Sequence, residues 1–111
     1  MNGDVLIVLT NCPDSDVADR IARTLVEQNL AACVNRLPAV HSIYRWRGAM
    51  EEADELPLLI KTTTARYAEV EHTIRALHPY EVPEIVAWPV TAGLPEYLAW
   101  VADETRRPIR A

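Results

Sequence analysis

Val5-Leu6-Ile7-Val8-Leu9-Thr10-Asn11-Cys12-Pro13-Asp14-Ser15-Asp16 is the stretch that decides the fold, because one structural period gives way to another inside it. Val5 to Leu9 is a continuous apolar run, and at that length it reads as a central strand covered on both faces. Asn11 to Asp16 then supplies helix-start chemistry: capping side chains, a proline at the first turn, and acids where the helix dipole is positive. A helix to about Gln28 follows, with Val17, Ala18, Ile21, Ala22 and Leu25 on the face turned to a sheet.

Working outward, residues 31–46 read as one long strand, bent or bulged at Pro38, with Val40, Ser42, Tyr44 and Trp46 sharing a face. Arg47-Gly48-Ala49-Met50 reads as a turn, and Glu55 to Thr64 as a returning strand around Leu58-Leu59-Ile60. Tyr67, Val70, Ile74 and Leu77 stripe a second helix, which stops before His78-Pro79 because the residue preceding proline leaves the α region. Glu84 to Val90 reads as a fourth strand, and Leu94, Tyr97, Leu98 and Val101 stripe a closing helix. The order β-α-β-β-α-β plus a terminal helix predicts a ferredoxin-like α+β fold on a single domain spanning 1–111. Right-handed crossovers order the strands four, one, three, two and bring Cys12 and His78 to one edge, with Cys33 at the opposite edge and out of disulfide reach.

The 111 residues carry a formal charge of −5 and are 50% hydrophobic, which argues for a packed core and against a nucleic-acid partner. The basic tail Arg106-Arg107-Pro108-Ile109-Arg110 reads as a solvated end. No apolar run reaches the ~20 residues of a membrane span, and the start Met1-Asn2-Gly3-Asp4 lacks a signal-peptide pattern, so the expected setting is the cytoplasm with no membrane partner. The two cysteines show no CxxC spacing, so they read as free thiols rather than as a zinc site or a disulfide.

From Ala32 to Trp46 an extended strand spans ~50 Å, against a radius of gyration of ~13 Å for a domain of about this size. The long hairpin therefore overhangs its core and carries Ile43, Tyr44 and Trp46 outward, which association of identical subunits would cover. Trp88, Tyr97 and Trp100 join them as candidate interface residues.

Asn11-Cys12-Pro13-Asp14, Leu25-Val26-Glu27 and Leu30-Ala31-Ala32-Cys33-Val34-Asn35 begin a series of ordered blocks. Ser42-Ile43-Tyr44-Arg45-Trp46-Arg47-Gly48, Ile60-Lys61-Thr62, the segment from His78 to Ile85 and Tyr97-Leu98-Ala99-Trp100 continue it. Over nearly its whole length the chain resembles the CutA family of divalent-cation tolerance proteins. That resemblance implies a ferredoxin-like homotrimer built like the PII signalling proteins, tied to tolerance of copper and other divalent metals, with no established reaction. It also implies a Cu(II) site on Cys12 and His78. Where the family pattern has two adjacent histidines, this chain has Leu77-His78.

Thiolate and imidazole both suit copper, and a helix N-terminus is expected to lower the Cys12 pKa. Glu81 is a candidate to complete the shell. The leading expectation is a metal-responsive regulatory protein binding copper weakly. The alternative is a small-molecule sensor taking an anionic ligand in an intersubunit cleft near Tyr44, Glu55, Lys61 and Glu84, although a structural ion pair is an equal reading of those charges. A Cys12 nucleophile with His78 as base lacks an orienting third group, so no enzyme is expected. Cys33 reads as a buried small hydrophobe, and His41 and His72 as ordinary surface residues.

Overall fold

The structure is a computed structural model and describes residues 4–106. All of the basic tail beyond Arg106 lies outside the described residues. The elements run β1 (Val5–Cys12), α1 (Ser15–Glu27), β2 (Cys33–Arg36), β3 (Val40–Trp46), β4 (Ala49–Thr63), a 3-10 turn (Thr64–Arg66), α2 (Tyr67–Leu77), β5 (Ile85–Pro89) and α3 (Pro95–Glu104). The antiparallel sheet has the order β2-β4-β1-β5, with β3 continuing along β4 as a hairpin. The mixed α+β architecture and this strand order agree with the ferredoxin-like expectation.

Two boundaries differ from the sequence reading. The single strand expected over 31–46 is two strands, because the register of β2 on β4 does not continue into β3. Arg36 faces Leu58 and Val40 faces Glu55, so residues 37–39 oppose only Leu56 and Pro57, as in a bulge. Pro57 has no N–H to give there, and its carbonyl accepts from the Leu37 N–H at 3.0 Å. The returning strand also starts at Ala49 rather than Glu55. Arg47 at φ 51° and Gly48 at φ 84° make a two-residue turn with both positions left-handed, the geometry that matches strand twist in a hairpin.

One face of the sheet carries the main core. Val8 and Cys12 of β1 and Leu58 and Ile60 of β4 pack with Ala18, Ile21 and Leu25 of α1 and with Val70 and Ile74 of α2. α1 starts where Asp14 Oδ1 accepts from the Val17 N–H at 2.9 Å. The expectation that β1 is covered on both faces holds for this face only. Ile7, Leu9, Leu59 and Cys33 on the other face stay partly exposed, Val86 and Trp88 are exposed, and α3 covers part of it with a buried Val101. Cys33 is therefore not the buried residue expected. The overhang is as anticipated: the longest dimension is 50 Å, and Ile43 is 64% exposed at the hairpin.

Because Ile60 is fully buried between both helices, Ile60→Ala is expected to cost ~2–5 kcal/mol in urea unfolding, and Asp14→Ala about 1 kcal/mol through the lost cap.

Candidate functional site

β1 and α2 end at the same edge, and this brings Cys12 and His78 together as the topology requires. The backbone leaves the α region at His78 (φ −86°, ψ 133°), which turns its ring back under the end of β1. His78 Nε2 donates to the Asn11 carbonyl at 2.7 Å, and Nδ1 accepts from the Tyr80 N–H at 3.2 Å. The Tyr80 ring packs edge-on against the imidazole, with centroids 4.6 Å apart. Both ring nitrogens are thus committed to backbone atoms.

The sulfur is no more available. Cys12 is fully buried, and its thiol is pushed up to about 11 by that burial first and by the neighbouring Asp14 carboxylate second. This corrects the expected lowering by the helix dipole: a field at the helix start acts on a thiol only weakly when ionising it means placing charge in the core. A thiol that stays protonated and an imidazole with no free lone pair do not fit a Cu(II) ion as they stand. Among the described residues no three His, Cys, Asp or Glu side chains are grouped closely enough to hold a metal. Glu81, the candidate third ligand, pairs instead with Arg47 at 2.5 Å.

Beyond this edge the overhanging hairpin and the loop from His78 to Glu84 enclose a cleft of about 710 Å3. Tyr44, Trp46, Glu51 and Glu55 line it from the hairpin, and Tyr80, Glu81 and Glu84 from the loop. Alternation along paired strands explains the hairpin side: Tyr44 faces Glu51, and both point with Glu55 to one side of the ribbon. Asn11 Nδ2 donates to Glu84 Oε1 at 3.1 Å and ties the loop to β1. The fold brings Tyr44, Glu55 and Glu84 together as expected, but not Lys61. That residue pairs with Ile7 and Cys33 well down the sheet and does not line the cleft.

Four carboxylates and no basic side chain line the cleft, so its electrostatics oppose an anion. Glu55 is only 8% exposed, and burial first and the nearby Glu55 carboxylate second raise the Tyr80 pKa.

Sequence reasoning missed Glu51 and Tyr80 here, and a second feature on the hairpin. His41 Nδ1 lies 2.8 Å from Asp54 Oδ1 and its Nε2 lies 2.7 Å from Glu52 Oε1. Hydrogen bonds to both carboxylates favour the imidazolium and raise the His41 pKa above 6.5. Knowing where the turn falls would have exposed Glu51 and the His41 contacts, since it fixes which acid faces which residue, whereas Tyr80 arrives on the loop after α2.

A ferredoxin-like sheet with a long overhanging hairpin and a cleft at its root defines the class: a small α+β protein of ferredoxin-like architecture. Residues 6–104 match the model of the CutA1 divalent ion tolerance protein family, and the chain belongs to that family. It is 50% identical over 99 residues to the divalent-cation tolerance protein CutA of Thermus thermophilus, covering 89% of this chain and 96% of that one. A CutA homolog of Xenopus laevis is 44% identical over 103 residues, covering 93% of this chain and 68% of that longer one. The crystal structure of CutA from Xylella fastidiosa superposes with a TM-score of 0.90 at 45% identity, covering 93% of this chain and 99% of that one.

In a Cys33→Ser variant, labelling of Cys12 by a thiol reagent at neutral pH is expected to track global unfolding, since the thiol is buried and protonated. NMR titration is expected to place the His41 ring above pH 6.5. Its contribution to hairpin stability is then complete below pH 6.5 and lost as pH rises through the folded-state value, and Glu52→Gln with Asp54→Asn removes the shift.

Proposed function

We propose that this chain is a divalent-cation-responsive regulatory protein that acts as a homotrimer and not as an enzyme. The observation that carries the reading is membership of a family named for divalent ion tolerance, matched over residues 6–104. Assembly is supported by the open sheet face and the overhang. Trp88 and Trp100 are each 42% exposed, and Ile43, Tyr44 and Trp46 project beyond the core, more apolar surface than a lone chain of this size normally leaves wet.

Copper remains part of the reading as a weak ligand of Cys12 and His78. The two share an edge, but binding has to free His78 from the Asn11 carbonyl and strip a proton from a thiol pushed up to about 11. Affinity therefore falls as pH falls, because protons compete for the sulfur. Absence of catalysis is supported by the same geometry: His78 is bonded to backbone on both sides, which leaves Cys12 without a base.

Equilibrium dialysis with Cu(II), with mass checked by light scattering, tests both parts. The expected result is a trimeric mass throughout, with weak binding by the wild type that Cys12→Ser and His78→Ala both abolish. Equal binding by all three proteins rejects the copper site, and a monomeric mass rejects the assembly.

A further inference from the structure

The cleft at the hairpin root combines aromatic rings with carboxylates. Its volume of about 710 Å3 falls within the ~300–1,000 Å3 range of small-molecule sites. Three aromatic rings, those of Tyr44, Trp46 and Tyr80, share its walls with carboxylates. Aromatic faces carry negative potential, so rings and acids together attract a cation whose charge is spread over an apolar body.

Glu55 supplies a second, independent sign. Glu55 is only 8% exposed on the cleft wall, beside the Tyr80 ring that lines the same cleft. Among the described residues no ion pair involves Glu55. A carboxylate set in the cleft wall with no cation beside it offers an entering cation a counter-charge shielded from much of the solvent.

The chain also provides its own example of the ligand. Arg47, from the hairpin turn, holds its guanidinium 5.1 Å from the centre of the Trp46 ring and pairs with Glu81. Ring and acid both belong to the cleft lining, so a guanidinium is already bound at its rim by the type of contact the interior offers. A bare divalent ion matches less well, because no three acidic or imidazole donors converge among the described residues.

From these observations we infer that the cleft between the hairpin and the His78–Glu84 loop binds a small organic cation, an alkyl guanidinium or ammonium, with Glu55 as its counter-charge and Arg47 as an intramolecular competitor at the rim. The charge-bearing head lies against Glu55 and Tyr80, and the alkyl body against the cleft-facing sides of Tyr44 and Trp46, whose remaining exposed surface is what a neighbouring copy would cover.

Isothermal titration of the full-length protein with n-butylguanidinium, in low salt with a metal chelator present, tests this independently of any response to divalent ions. Its neutral isostere n-butylurea is the control. Butylguanidinium is expected to bind at least about tenfold more tightly than butylurea. Glu55→Gln is expected to lose about that factor and Arg47→Ala to gain severalfold, and Trp46→Leu gives a second loss should Glu55→Gln fail to fold. Equal affinity for urea and guanidinium, binding untouched by Glu55→Gln and Trp46→Leu, or no binding at all overturns the cation site. Unchanged or weaker binding in Arg47→Ala overturns the competitor role.

Discussion

Antiparallel pairing along β4 is the constraint on which everything else depends. This 15-residue strand pairs with β1 and β2 in its second half and with β3 in its first, so one continuous backbone serves both the core and the overhang. Within the core it sets Leu58 and Ile60 against the helices, and Thr62 Oγ1 donates to the Leu30 carbonyl at 2.6 Å where α1 gives way to β2. Outside the core its first residues are mostly exposed among the described residues. A shift of one residue in this register would turn the buried row outward, so the buried half of β4 dictates how the exposed half is presented.

The cleft follows from that division. Twist and the bulge opposite Pro57 swing the hairpin away from the sheet, and the loop after α2 fills the space left at its root. Buried acid, aromatic walls and a captive guanidinium collect where core and overhang meet. The Cys12–His78 edge lies beside them but is closed, with every donor spent on the fold's own hydrogen bonds or sealed from solvent. A group can stand where topology puts it and still be occupied in holding the structure together.

That difference marks the limit of what the sequence made legible. Strand order, a helix start within residues 11–16, the helix stop at His78 and the shared edge all follow from local periodicity and crossover handedness, because each depends on neighbours in the chain or on topology alone; only Pro13 differs, standing before the Asp14 cap rather than in the first turn. The split of the strand over 31–46 was half visible: Pro38 announced a bend, but the one-residue slip depends on Pro57, which lies on the partner strand. Burial of Cys12 overrode a helix-start argument that considered the dipole without solvent. Lys61 was grouped with Tyr44, Glu55 and Glu84 by charge and strand membership, and register removed it. Tyr80 and Glu51 entered the cleft through a loop path and a cross-strand pairing that composition does not encode.

In the proposed assembly, a sheet face open on one side and an exposed hairpin are completed by further copies of the same chain. Small-angle X-ray scattering at micromolar concentration measures this most directly. An isolated chain has a Cα radius of gyration of 14.9 Å. The expected scattering particle has about three chain masses, with a radius well above that value and unchanged on dilution. A monodisperse particle of one chain mass with a radius near 14.9 Å would contradict it.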